Sequence, residues 1–144
     1  MPSLLHRLDV PAHPASLETV RRFVREVARQ AGLSDRATGH VTLAVDEACA
    51  NVVEHAYGGE AGHAFEVWAG MQNADFVVRI RHTGRAFDPA SYVGPTRLDE
   101  GVTLRRKGGF GVYLMRQLVD DVRYHTRGGV SEVRLAKHMG SAAA

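Results

Sequence analysis

The sequence predicts an α+β fold, a two-layer sandwich in which a mostly antiparallel sheet carries its helices on one face. Two observations support this prediction. Apolar residues switch between helical spacing and period two, in the order strand, two helices, hairpin, long loop, helix and hairpin. Consecutive strands are joined by short turns instead of helical crossovers, and short turns connect antiparallel neighbours. We expect one domain over residues 1–139.

The chain begins with a predicted strand and helix. Residues 3–10 form the strand, and Pro11 and Pro14 end it. From Ser16 onward apolar residues recur at helical spacing, with Ser16 as the candidate N-cap and Gly32 just past the end. These residues therefore predict an amphipathic helix.

A second helix and a hairpin follow. The helix begins near Ser34 or Asp35 and ends before Gly58 and Gly59, with one apolar face between these limits. Two strands come next, over residues 63–71 and 76–81, and a predicted turn over residues 72–75 joins them.

The second half holds a long loop, a helix and a final hairpin. Residues 83–107 are rich in Gly and Pro and lack periodicity, so we predict a lid. Helical spacing resumes over 109–120, and strands over 122–126 and 130–137 turn at Gly128 and Gly129. The small-residue tail over 140–144 is predicted to be disordered.

Composition excludes several classes of function. The formal charge is only +2, with scattered basic residues, which does not favour a nucleic-acid partner. No apolar run approaches the length of a membrane span, and no secretory signal pattern precedes the first strand. The single cysteine, Cys49, cannot form an internal disulfide. We therefore expect a cytoplasmic protein without a membrane partner.

The second helix carries a candidate site. Glu47 and Asn51 stand one turn apart, so both project from the same side, at the edge of the apolar face. There the amide oxygen can bind Mg²⁺ and the carboxylate can accept a proton from an attacking hydroxyl. A solvated helix edge, with His55 as a cap or packing residue, is the alternative interpretation.

A glycine-rich turn opens the helix after the lid. Gly109 and Gly111 would let the backbone approach phosphates, and the free N–H groups of a helix start favour negative charge. Arg105, Arg106 and Lys107 directly before it add cations. A lid hinge with solvated charges is the alternative. A dinucleotide-binding fingerprint is excluded because its third glycine is missing.

Three segments in order resemble a known family. DEACANVVEHAY over 46–57, TGRAFDP over 83–89 and GFGVYLM over 109–115 are similar to the N, G1 and G2 boxes of anti-sigma-factor serine kinases. These are RsbW-like members of the GHKL/HATPase superfamily, and the likeness extends over roughly residues 4–137. The resemblance implies the Bergerat sandwich, binding of ATP and Mg, inhibition of a sigma factor, and phosphorylation of an antagonist serine. A homodimer is compatible with it.

The resemblance also implies roles for single residues. Glu47 would be the general base and Asn51 the Mg²⁺ ligand, while Gly109 and Gly111 would cradle phosphates. Lys107 would bring a cation near the γ-phosphate. The adenine pocket would include Gly84 through its backbone, Ser131 in place of a threonine, and the residue before the G1 box, His82.

The chain departs from the family pattern at His82, where the family carries an aspartate that accepts a hydrogen bond from adenine. Ala86 stands where glycine is common. Two hypotheses follow: an active serine kinase and anti-sigma factor, or a degenerate module of the same fold that binds partners with weak or no ATP binding. A metabolic ATPase is disfavoured, because this short chain lacks the transducer domain of the superfamily's larger machines.

Overall fold

The structure, a computed structural model, describes residues 4–86 and 109–139. Five strands, three α-helices and one π-helical turn occur in these ranges. In chain order they are β1 (Leu4–Pro11), α1 (Ser16–Ala31), α2 (Asp35–Asn51), the π turn (Val52–Ala56), β2 (Ala64–Gln72), β3 (Asp75–His82), α3 (Gly109–Leu118), β4 (Asp121–Arg127) and β5 (Val130–His138).

The strands form a single sheet in the order β1-β2-β3-β5-β4, and every neighbouring pair is antiparallel. The hairpin between β2 and β3 turns at Asn73, whose φ of 57° lies in the left-handed region. The hairpin between β4 and β5 turns at Gly128 and Gly129, which both have positive φ. The α+β prediction and both hairpins are confirmed.

The helices cover one face of this sheet. α1 packs on β1, β2 and β3, whereas α2 packs on β3 and β5 and also contacts α3. Period two in the central strands sends Val67, Val78, Ile80 and Leu135 toward the helices, and each is at most 1% exposed. The apolar core therefore lies between the sheet and its helical layer.

The start of α1 differs from the prediction. Ser16 is the first helical residue, and Ala15 occupies the N-cap without a side-chain cap bond. The turn before the helix explains this, since Ser16 N donates to His13 O at 2.9 Å and Leu17 N to Pro14 O at 3.2 Å. These bonds make Ser16 part of the helix, so Ala15 takes the flanking position and the Ser16 side chain does not cap it.

The second helix agrees with the prediction at its start. Ser34 Oγ accepts a hydrogen bond from Ala37 N at 3.1 Å and caps α2. At its other end α2 continues into the π turn, and Gly58 and Gly59 follow with positive φ. Residues 87–107 of the predicted lid and the tail lie outside the described residues. None of the described helices is long and apolar enough to cross a membrane.

Candidate functional site

A pocket lies where the end of α2 and the π turn meet β3 and the β4–β5 hairpin. Its empty space is about 430 Å³ when the part open to solvent is included. The polar side chains among those that line it are Asn51, His55, His82, Arg85, Tyr124, His125, Thr126, Ser131 and Glu132.

Asn51 ends α2 and lines this pocket. Its Nδ2 atom is buried and has no hydrogen-bond partner among the described residues. A buried polar atom without a partner costs about 1–3 kcal/mol, so such atoms often mark a place where a ligand binds. The side chain therefore fits a polar ligand that supplies the missing partner.

Glu47 meets the start of α3. A Cβ atom at Gly111 would lie 2.8 Å from Glu47 Oε2, which is closer than real Cβ atoms approach an oxygen. A side chain at Gly111 would therefore displace the Glu47 carboxylate from this position. The Glu47 carboxylate rests against the first turn of α3, where unpaired N–H groups and the helix dipole favour negative charge.

Gly84 joins the segment after β3 to the π turn. Its φ is +76°, and a Cβ there would lie 2.5 Å from Ala56 O and 2.5 Å from Tyr57 Cε1. The neighbouring Arg85 N donates to Ala56 O at 2.6 Å. Only glycine allows this close approach, which brings the residues after β3 to the pocket.

His82 ends β3 and is 8% exposed. Its Nδ1 lies 2.6 Å from Thr83 O, and its ring is nearly perpendicular to that of Tyr57, with the centroids 6.4 Å apart. Burial lowers the pKa of the His82 imidazole, and the bond to Thr83 O opposes this with a smaller effect. The ring is therefore neutral at pH 7.

Ser131 is paired with His82 in the β3–β5 register. It is buried, and its Oγ lies 3.1 Å from Thr126 Oγ1. Both Ser131 and His82 point toward the helical layer, so the two polar side chains form the sheet side of the pocket.

The structure brings together most of the residues singled out in the sequence. Asn51, His82 and Ser131 line one pocket. Glu47 lies against Gly111, Gly84 lies against the π turn, and Gly109 is the first residue of α3. Lys107 lies outside the described residues, as do Arg105 and Arg106.

Sequence reasoning did not single out Arg85, Tyr124 or Thr126, which also line the pocket. Arg85 could have been found, since it directly follows Gly84 and is the cation of that segment. Tyr124 and Thr126 alternate along β4, but nothing in their local sequence indicates which part of the molecule they face.

The chain is similar to known proteins over most of its length. A profile of the histidine kinase-like ATPase domain matches residues 10–137. The serine-protein kinase RsbW of Listeria innocua is 33% identical over 129 residues, covering 88% of this chain and 82% of that protein. The serine-protein kinase RsbW of Bacillus subtilis is 30% identical over 135 residues, covering 92% of this chain and 84% of that protein.

Solved structures share the fold. The RsbU and RsbW domains of a Mycobacterium tuberculosis protein match with a TM-score of 0.66 at 17% identity, over 95% of this chain and 33% of that one. A blue-light-activated histidine kinase of Erythrobacter litoralis matches with a TM-score of 0.57 at 16% identity, over 93% and 43%. The match to the ATPase domain and the identity to the RsbW kinases establish that this chain belongs to the histidine kinase-like ATPase family, as an RsbW-like member.

Proposed function

We propose that this chain is a cytoplasmic anti-sigma regulatory factor that binds Mg-ATP in the pocket beside α2 and phosphorylates a serine of an antagonist protein. Its relatives named serine-protein kinase RsbW support the reaction class. The observation that carries the proposal is the contact of the Glu47 carboxylate with Gly111 in the first turn of α3. A proton acceptor then stands beside a helix start that suits phosphate.

The residues present fit the nucleotide and its metal. Asn51 Nδ2 is a donor without a partner in the described residues, which suits a phosphate oxygen, and Gly111 leaves open the space that a Cβ would fill. No cluster of three or more His, Cys, Asp or Glu side chains that could hold a metal occurs in the described ranges. Mg²⁺ is often held by few protein ligands together with substrate phosphates, and the Asn51 amide oxygen would be one such ligand.

Each residue then has a role in this proposal. ATP is the substrate that supplies the γ-phosphoryl group. Glu47 accepts the proton of the attacking serine hydroxyl, and the Asn51 amide oxygen holds Mg²⁺. The backbone N–H groups at Gly109 and Gly111 bind phosphate oxygens, and Lys107 adds a cation.

The far end of the pocket would hold the base. Gly84 allows the backbone to approach it closely, and the polar side chains of His82 and Ser131 face the same space. The sigma factor and the antagonist are the partners in this proposal, and switching between them would control transcription.

A non-catalytic partner-binding module of the same fold is the second candidate. One observation favours it: His82 stands where the family carries an aspartate. This candidate predicts partner binding without phosphotransfer.

The substitution Glu47→Gln separates these functions. We expect it to keep Mg-ATP binding but to reduce phosphotransfer to a serine-bearing antagonist at least 100-fold, because an amide cannot accept the hydroxyl proton. Glu54→Gln is the matched control, since Glu54 lies on the π turn with a side chain that is 66% exposed. Phosphotransfer by Glu47→Gln at the parent rate would exclude Glu47 as the base. Absence of phosphotransfer by the parent would favour the second candidate.

A further inference from the structure

The last residue of β5, His138, joins the end of that strand to the turn between β2 and β3. The strand register places His138 directly opposite Asp75, the first residue of β3. The His138 Nδ1 atom lies 2.7 Å from Asp75 Oδ1, and a carboxylate can only accept, so Nδ1 donates this bond. Met139 N donates to Ala74 O at 3.1 Å. The end of β5 is therefore bonded to the β2–β3 turn at two points.

The chain that leaves α3 is bonded to the same part of β5. Leu118 O, at the end of α3, accepts a hydrogen bond from Lys137 Nζ at 3.3 Å. Asp120 N donates to Ala136 O at 2.9 Å, and Asp120 Oδ2 accepts from His138 N at 2.7 Å. His138 thus touches both neighbouring segments, one through its ring and the other through its backbone.

The His138 ring stands among carboxylates. The hydrogen bond to Asp75 raises the pKa of the His138 imidazole most, and the charge of the same carboxylate raises it further. The charges of Asp120 and Asp121 add smaller effects in the same direction, and partial desolvation opposes them. Protonation of His138 is therefore favoured by both segments that it joins.

The cations near His138 do not neutralise these carboxylates. Lys137 directs Nζ at Leu118 O. Arg123 and Arg134 form ion pairs with Asp121, at 2.6 and 3.6 Å. Within residues 4–86 and 109–139, neither Asp75 nor Asp120 forms an ion pair with an arginine or a lysine. The charge of these two aspartates is therefore left for His138.

We propose that His138, Asp75 and Asp120 form a proton-sensitive clasp, in which imidazolium holds the β2–β3 turn and the chain leaving α3 on the end of β5 more tightly than the neutral ring does. The neutral ring keeps its Nδ1 bond to Asp75, so a rise in pH loosens the clasp without releasing it. The clasp lies at the end of α3 opposite to Gly111 and needs no bound nucleotide.

The sign of the pH dependence follows from the raised pKa of His138. The added stability of the clasp is fully present below the ordinary histidine pKa of about 6.5, and it is lost as the pH rises through the pKa of the folded protein. The His138 side chain is 58% exposed and that of Asp75 is 27% exposed. We therefore expect local tightening instead of a large change in global stability.

Hydrogen exchange of the ligand-free protein measures this tightening. The amides of Asp120, His138 and Met139 report on the clasp, because each donates one of its bonds. Their protection, relative to the intrinsic exchange rate at each pH, should be about two- to fivefold higher at pH 5.5 than at pH 8. High salt should reduce this difference, since the groups are at the surface.

Three variants identify the group responsible. His138→Gln keeps a polar side chain that does not titrate, so the three amides should show the same protection at both pH values. Asp75→Asn should reduce the difference and lower the pKa of His138 toward its ordinary value, as measured by NMR titration. His6→Gln is the matched control, since His6 is an exposed strand histidine on β1, and it should behave as the parent.

Equal protection of the parent at both pH values, or the parent's pH dependence retained in His138→Gln, would overturn the clasp. NMR titration of the parent gives a readout that does not depend on how a variant folds. A His138 pKa at or below the ordinary value in the parent would contradict the proposal, and so would a pH difference that high salt leaves unchanged.

Discussion

Single polar atoms at the end of α2 show how a site differs from the core around it. Asn51 leaves Nδ2 buried without a partner in the described residues, whereas the neighbouring Ala48 and Val52 are 2% and 4% exposed and pack in the core. A residue that contributes little to packing but retains an unsatisfied amide is better suited to a ligand than to stability.

We expect Asn51→Ala not to lower the free energy of unfolding of the ligand-free protein, because it removes a buried polar atom that has no partner. It should abolish the rise in melting temperature that Mg-ATP gives the parent. Thermal denaturation with and without Mg-ATP measures both effects. Equal stabilisation of variant and parent by Mg-ATP would rule out the Mg²⁺ role of Asn51.

The absence of a side chain at Gly111 is a second feature at this scale. Gly111→Ala would place a Cβ 2.8 Å from Glu47 Oε2, and the flexible carboxylate must then move. We expect a folded protein whose phosphotransfer is reduced at least tenfold, because the base is displaced.

Gly39→Ala is the matched control for this variant. Gly39 lies within α2, and a Cβ there would meet nothing within 4 Å. It should raise the free energy of unfolding by about 0.5–1 kcal/mol through helix propensity, without effect on phosphotransfer. If Gly111→Ala transfers phosphate as fast as the control, the approach of Glu47 to α3 is not needed for activity.

At the scale of elements, the π turn after α2 receives the segment that follows β3. Short π-helical stretches often occur at functional sites, and this one offers Ala56 O to Arg85 N. Gly84 makes the approach possible through both its positive φ and its missing Cβ.

We expect Gly84→Ala to lower the free energy of unfolding by more than about 2 kcal/mol, since backbone strain and a clash with Ala56 O add together. Gly58→Ala isolates the strain, because Gly58 has φ +58° and open space around a Cβ. Gly58→Ala should lower the free energy of unfolding by only about 1 kcal/mol. Urea denaturation measures both, and equal losses would show that the contact between Gly84 and the π turn contributes nothing.

At the scale of the molecule, the core between the sheet and the helices encloses Cys49 completely, at 0% exposure. Burial raises the pKa of the Cys49 thiol, and the charge of Asp46 raises it further. The folded protein therefore holds the thiol in its neutral form.

From the burial of the Cys49 thiol we predict that the free energy of unfolding falls as the pH rises. The raised pKa of Cys49 favours the neutral thiol in the folded protein. The stability that the buried thiol contributes is therefore fully present below the pKa of the unfolded thiol, about 8.5, and is lost as the pH rises above that value. Between pH 7 and 10 the free energy of unfolding of the parent should fall by about 2 kcal/mol more than that of Cys49→Ala. Urea denaturation at both pH values tests this, and equal losses would mean that the thiolate is tolerated in the core.

The sequence by itself determined the elements and their order. Period-two strands, helical stripes and the turns at Asn73 and at Gly128 were all predicted, because hydrogen bonding and burial within such segments depend on near neighbours. The start of the second helix near Ser34 or Asp35 was predicted in the same way. Ser16 is not the cap because the preceding turn at His13 and Pro14 makes it the first helical residue, and composition does not reveal that turn.

Only the tertiary structure decided how these elements meet. Glu47 and Gly111 are distant in sequence, and their contact depends on the packing of α2 against α3. The strand register places Ser131 beside His82, and the backbone after β3 fixes the tautomer of that histidine. Local sequence indicates which residue types are present. The direction in which a lone pair or a missing side chain points depends on long-range packing, and that packing forms the site.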